Sequence, residues 1–501
     1  MNRPGREIDR APIDAEGLRK LWQAFARSIR DNAMAEFAVQ ILRITSTVVL
    51  ARALTPTDFG LLKVLVVISI IAGITSEVGI PDALVQRRTL TPQHEASALW
   101  LSIGLGLLTA IALFFFAPGI ARLMEMPQLS LGIRLLCVPL MLDSTTAPAN
   151  ARLRREMRFG ALALADVIAE IAFLVTAIVL LWIGRPDLSL AAALGARFAG
   201  HALTIWIADA HIPTVMPTIA AIRDFGRFAI SVLGGQVTIA LSANTDYLLV
   251  GRFLGSATLG FYSIAWDLLR FFPFRLHKIA VRVTFPAFCK LQDDNEVLAR
   301  AYKDFFNYVA RIVLPVLACM AIAAPELIRT IYGPHWVPAA LPLRLLAGGL
   351  ALAGLREGIG TIFYAKDHPS FDIMLNGVRL ILIVAVIWTF KGYGIFGISV
   401  GMSIVEGATS LAGMALAAWL INTRLRDLLI FALPGLRLAG LCALATLAGK
   451  LIAHVADLEG VAALAPMVLL PAVTLCWIEG ATMSRMFGAA FIRANAPAVA
   501  G

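Results

Sequence analysis

The sequence predicts an all-α integral membrane protein. About fourteen transmembrane helices form two pseudo-symmetric six-helix lobes around a central cleft, with two more helices at the C-terminus. Three observations predict it. The 501 residues are 59% hydrophobic and only 15% charged, against about 25% charge in soluble chains, and the mean hydropathy is +0.80. Apolar blocks recur from Ala33 to Ile478, and three of them (Ala96–Ala121, Phe228–Thr245 and Gly460–Ile478) hold no formal charge. Finally, "ARALTPTDFG" at Ala51–Gly60 is echoed by "GRFLGSATLG" at Gly251–Gly260, with Arg52/Arg252, Leu54/Leu254 and Gly60/Gly260 in register.

A hydrocarbon core about 30 Å thick needs about 20 helical residues, and inside it every backbone N–H must bond within its own segment. The elements follow in order. Residues 1–31 form a basic arm in which Leu18, Leu21, Trp22, Phe25 and Ile29 recur at helical spacing, with Arg19, Lys20, Arg27 and Arg30 on other faces. That pattern suits a helix lying on anionic lipid, or a solvated helix capping the bundle. The N-lobe, 32–210, holds spans near 32–52, 59–80, 96–117, 129–148, 160–183 and 188–208. The C-lobe, 211–420, holds spans near 226–250, 257–276, 305–324, 338–362, 371–390 and 394–419. Residues 421–501 supply two more, 432–454 and 460–480, and a tail. The fourth span carries Arg134 and Asp143, the eighth Asp267, Arg270 and Arg275; thirteen spans fit if either is only interfacial.

The connections sort by charge. The arm, Arg87–Arg88, Arg152–Arg158, Lys290–Lys303, Lys366, Arg424, Arg426, Arg485 and Arg493 all fall on one side by parity. The opposite loops carry about one basic residue each (Arg52, Arg122, Arg185, Arg252, Arg329, Lys391). Positive charge stays in the cytoplasm during insertion, which places both termini there. This asymmetry accounts for much of the net charge of +10, so no nucleic-acid partner is needed to explain it. No secretory signal is legible in residues 1–30. Cys137, Cys289, Cys319, Cys442 and Cys476 are scattered small core side chains, and the seven histidines have no metal-ligand spacing. A Gly-rich phosphate loop ending in Lys-Ser or Lys-Thr is missing, as is any nucleophile context. The expectation is a protein without cofactor, metal or catalytic residues, and not an enzyme.

A second echo strengthens the first: "APGIARLMEMP" (Ala117–Pro127) returns as "APELIRTIYGP" (Ala324–Pro334), and "RLL" at Arg134 returns at Arg344. The echoes are collinear, and spans one and seven both follow a cytoplasmic segment. Two copies of one six-helix unit in the same orientation are therefore expected, related by an axis along the membrane normal. The stretches "LARALTPTDFGLLKVL", "GIPDALVQRRTLTPQH", "ARLRREMRFGALAL", "DYLLVGRFLGSATLGFYSIAWDLL", "RVTFPAFCKLQDD" and "APELIRTIYGPHWVPAALPLRLLA" resemble the oligosaccharide flippases of the polysaccharide transporter family. That family belongs to the multidrug/oligosaccharidyl-lipid/polysaccharide exporter superfamily. The resemblance covers roughly 30–420; the last two spans match only in hydrophobicity. It implies a flippase moving polyprenyl-diphosphate-linked oligosaccharide outward across a bacterial inner membrane, powered by an ion gradient, with a polysaccharide polymerase as a possible partner.

Such a substrate brings about two negative charges and many hydroxyls, none of which crosses hydrocarbon unaided. Charges placed mid-span are the candidates to receive it, and arginine forks onto phosphate in a bidentate way. Arg43 and Arg270, one in each lobe, come first, followed by Arg311, Arg197 and Arg356. Arg134, Arg344 and Arg379 lie where they could instead snorkel to headgroups. For the coupling ion the candidates are Asp166, Glu170, Glu36 and Asp267. Asp166 and Glu170 are four apart and share a helix face, which suits proton exchange or, alternatively, the balancing of Arg154–Arg158. Asp267 and Arg270, three apart, can neutralise each other. Two other readings stay open: a cationic-drug exporter on the same fold, which would want an acidic cleft, and a membrane polymerase or glycosyltransferase, which would want larger outer loops.

Overall fold

The structure, a computed structural model, describes residues 38–495 other than 88, 212, 357 and 459, without the side chains of 186, 187, 272–283, 286, 477 and 479–495. The basic arm with its amphipathic helix, and Glu36, therefore lie outside the described residues. Among those described, every regular element is helical. In chain order they are α1 (38–53), α2 (Pro56–Glu77), α3 (Ile80–Gln86), α4 (Pro92–Met124), α5 (Leu129–Ser144), α6 (Ala147–Arg155), α7 (Phe159–Trp182), α8 (Pro186–Ala208) and α9 (Ile219–Lys290, broken at Gly255). The chain continues through α10 (Asn295–Ile322), α11 (Ala324–Tyr332), a 3-10 turn (Pro334–Ala339), α12 (Ala340–Arg356), α13 (Ile359–Ala365), α14 (Ser370–Phe390), α15 (Gly394–Leu420), α16 (Leu425–Phe431), α17 (Leu433–Val455) and α18 (Gly460–Asn495).

Local sequence sets the starts. Thr55 and Asp58 close a reciprocal capping box at α2, with Pro56 in its first turn, and Thr91 with His94 does the same at α4. Each box satisfies two N–H groups that a helix start leaves orphaned. Among the described residues, nine helical segments are long and apolar enough to cross a membrane, ten if the bent pair α5–α6 counts as one span. The chain is a multi-pass membrane protein. Two of the nine segments run 53 and 51 residues, room for two crossings each at about 20 residues per crossing. The longer contains the break at Gly255, and the other joins α14 to α15 through Lys391–Tyr393.

By contact the chain divides into two compact units, Met1–Gly260 and Phe261–Gly501. In the first, Ile80 and Leu84 of α3, Ala98 of α4, Ala147 and Ala151 of α6 and Phe225 and Ala229 of α9 form one buried cluster. The start of α9 is tied there by further bonds: Thr218 N–H to Ser97 Oγ at 2.9 Å and Gln236 Nε2 to Asp82 Oδ2 at 3.2 Å. Packing thus divides the chain at 260/261, and residues 226–250, expected as the opening span of the C-lobe, pack with the first unit. In the second unit, Trp266 and Trp336 are wholly buried, with Phe261 edge-on to Trp336 at 5.9 Å.

The opening echo has a physical role. A Cβ on Gly60 would lie 1.9 Å from the carbonyl oxygen of Ser256, and one on Gly260 would lie 2.2 Å from that of Pro56. Position 60 meets 256 while 260 meets 56, the reciprocal pattern of a two-fold contact. The two copies of the motif cross each other so closely that only glycine fits at either point. A second correspondence lies in the helix breaks. α5 and α6 part at Thr145–Thr146 with a 40° bend, and α12 and α13 part 212 residues further on at Gly358, whose φ is +93°.

Candidate functional site

In the first unit the charges gather on α7 and α8. The charges of α7 are Asp166 and Glu170, and α8 carries Arg197 and His201 at the same four-residue spacing, so each helix presents its pair on one face. Small residues bring the helices together: a Cβ on Gly200 would sit 3.2 Å from that of Ala172. Glu170 is buried and accepts hydrogen bonds from Arg43 Nε at 3.0 Å and Nη2 at 2.8 Å. Arg197 Nη2 reaches the same oxygen at 3.1 Å. Glu170 thus takes both guanidiniums on one oxygen, and Asp166 lies within electrostatic reach of both. Arg43 keeps 50% of its side chain exposed and Arg197 33%. Asp166, one turn before Glu170, is exposed.

The structure corrects the alternative in which these carboxylates balance Arg154–Arg158. Arg154 pairs with Asp82 at 3.1 Å, Arg155 donates to the carbonyls of Leu84 and Arg87, and Arg158 donates to that of Ala208. Those arginines cap helix ends and leave Glu170 to Arg43 and Arg197. One turn along α8, His201 Nδ1 lies 2.6 Å from Asp143 Oδ1 on α5, and Trp206 Nε1 donates to Thr145 Oγ1 at 3.0 Å. Sequence reasoning missed this pairing. The available signal was an acidic pair spaced by four on one span followed by a basic pair spaced by four on the next.

In the second unit, Arg379 of α14 donates through Nε to Glu406 of α15 at 2.9 Å, their side chains 8% and 3% exposed. Arg379 therefore does not snorkel; a buried acid on the next helix holds it inside. Arg356 and Arg270 also lie within electrostatic reach of Glu406. The stem of Arg356 runs along α15, where a Cβ on Gly413 would meet its Cδ at 3.4 Å. Arg311 Nε donates to Asn307 Oδ1 at 3.1 Å, one turn back on α10. Asp267 is exposed and Arg270 half-buried, both on α9.

The two units repeat this arrangement with the sign reversed. Glu170 and Arg197 are 27 residues apart, as are Arg379 and Glu406, and each partner recurs 209 residues later with the opposite charge. Breaking a buried pair costs about 3–5 kcal/mol, whereas replacing both members by apolar residues is often neutral. Arg379→Leu is therefore expected to lower the thermal midpoint in detergent markedly, and Arg379→Leu with Glu406→Leu to recover most of the loss; heating while following the monodisperse fraction checks this.

The sequence profile of the family described as polysaccharide biosynthesis protein matches residues 49–341. The chain is 24% identical over 382 residues to the lipopolysaccharide biosynthesis protein WzxC of Escherichia coli (strain K12), covering 75% of this chain and 77% of that protein. Among solved structures, the lipid II flippase MurJ in its inward closed conformation superposes with a TM-score of 0.69 at 15% identity, covering 90% of this chain and 99% of that one. An inward-facing multidrug resistance MATE transporter of the MOP superfamily gives 0.63 at 17% identity, over 77% of this chain and 94% of that one. At these identities the structural likeness speaks for the fold alone.

Proposed function

The chain belongs to the polysaccharide biosynthesis protein family, and from that premise we propose that it is a flippase moving polyprenyl-diphosphate-linked oligosaccharide across the bacterial inner membrane. In this reading fourteen spans form two lobes that rock around a central cleft, both termini are cytoplasmic, and an ion gradient drives alternating access. The cleft arginines are Arg43 and Arg197 from the first unit and Arg270, Arg356 and Arg311 from the second. Asp166, Glu170 and Asp267 handle the coupling ion, with Glu36 as a further candidate. The basic arm rests on anionic lipid, and a polysaccharide polymerase consumes the product.

One observation supports the reading: Glu170 is held by two guanidiniums, and Arg43 keeps half of its side chain exposed. Ionisable side chains inside a membrane are expensive and usually face a pathway, and a diphosphate is an anion that arginine forks onto. The test uses purified full-length protein in proteoliposomes with the lipid-linked oligosaccharide pool of the host strain, labelled fluorescently on its sugars. A membrane-impermeant reductant is expected to bleach both leaflets' label with the protein and only the outer leaflet's without it. Equal bleaching in empty and protein-containing vesicles would refute the reading.

A further inference from the structure

We propose that His201 and Asp143 form a proton-binding site of this transporter, a protonatable clamp that ties α8 to the bend between α5 and α6. The proposal rests on the flippase reading and deepens it by naming the proton as the coupling ion and adding this pair to the carboxylates that handle it.

The geometry comes first. His201 Nδ1 and Asp143 Oδ1 are 2.6 Å apart, with side chains 24% and 19% exposed. An ionised carboxylate only accepts, so Nδ1 carries the hydrogen and Nε2 is left to take up a proton. Asp143 is the penultimate residue of α5, and its carbonyl receives both the N–H of Thr146 at 3.0 Å and the Thr146 hydroxyl at 2.7 Å. Thr145, the next residue into the bend, is held by Trp206, also from α8. Two side chains of α8 thus grip two residues at the break of one membrane span.

Carboxylates gather around the imidazole. Asp166 from α7, Glu77 from the end of α2 and Asp143 from α5 all lie in electrostatic reach of His201. The cations of this neighbourhood are Arg197 on α8 itself, Arg43 from α1 and Arg154 from α6. Asp166 is exposed, and Glu77 leads on to Asp82 and Arg154, which pair at 3.1 Å. Adding a proton at Nε2 turns a hydrogen bond from a neutral imidazole to a carboxylate into an ion pair as well, with charge on both partners. The clamp tightens on proton binding and slackens on release.

The second unit argues against a purely structural role. The 209-residue offset that relates the two ion pairs puts Ser410 where His201 stands and Leu375 where Asp166 stands. The 212-residue offset of the helix breaks puts Leu355 at the place of Asp143. That unit breaks its helix at Gly358 with a leucine and a serine at the places of Asp143 and His201, so a helix break at this place does not require the His–Asp pair.

Trp206 reports the clamp without any substrate. Its emission, taken as wild type minus Trp206→Phe, is expected to change in one protonation step between about pH 5 and 8, where histidine changes charge. The step should vanish in His201→Asn and in Asp143→Asn. In cells, His201→Asn should export about tenfold more slowly or worse, in line with typical coupling energies, and lose its sensitivity to collapse of the proton gradient. A step that persists in both variants, or wild-type export with wild-type gradient dependence in His201→Asn, overturns the proposal. A wild-type step that needs His201, in a protein that moves no lipid-linked oligosaccharide in the vesicle assay, supports the clamp and refutes the flippase reading alone.

Discussion

Arg43→Ala is expected to cut export of lipid-linked oligosaccharide by roughly ten- to a hundredfold, the range that a charge-assisted bond of about 1.5–3 kcal/mol implies. Arg43 bonds Glu170 through two nitrogens and still has half its side chain exposed. Its removal leaves Glu170 to Arg197 and takes away the more exposed of the two guanidiniums, the one a diphosphate can reach. Because Arg197 still satisfies the buried acid, the variant should insert and accumulate normally. Arg43→Lys should retain part of the activity, since an ammonium keeps the charge and loses the fork. Export is read from periplasmic delivery of repeat units and accumulation from immunoblots of membranes. Wild-type export by Arg43→Ala would remove this residue from the substrate path.

Gly60→Ala and Gly260→Ala should each destabilise the protein more than a single methyl normally does. The added carbon would stand 1.9 Å from Ser256 O and 2.2 Å from Pro56 O, both backbone atoms that cannot rotate aside. Overpacking of this kind costs about 1–3 kcal/mol when side chains can adjust, and here the helices themselves must separate. Gly73→Ala on the same helix α2 is the control, since a Cβ there meets nothing within 4 Å. It should be neutral or slightly stabilising, because alanine favours a helix over glycine by about 0.5–1 kcal/mol. Thermal unfolding of the three variants in one detergent separates the cases. Equal midpoints would mean that the crossing of the two motif copies is loose.

Much of this architecture was legible because a bilayer constrains composition along the whole chain. Twenty apolar residues read as a crossing wherever they occur, so the class and most span positions follow directly. The break of α5–α6 does not: Thr145 and Thr146 are unremarkable in sequence, and the 40° bend, with Trp206 of α8 bonded to Thr145, shows only in the fold. The glycine echo was legible as a repeat, and its cause, a backbone-to-backbone approach, became visible only when both copies were seen together. Depth in the membrane can be read from position; rotational facing cannot. Arg379 therefore looked like a residue able to reach headgroups, yet Glu406 on the neighbouring helix buries it. Asp166 and Glu170 were correctly placed on one helix, but their partners lie on α1 and α8, not in the nearby basic knot. His201 was one histidine among seven scattered ones until folding set it beside Asp143.

The most direct measurement of the central claim is the sidedness of lipid-linked repeat units in a strain that lacks this gene and encodes no other flippase for them. The account predicts that the units pile up on the cytoplasmic face, that the wild-type gene clears them, and that the Arg43→Ala gene does not. Repeat units reaching the periplasm at the normal rate in the deletion strain would contradict it.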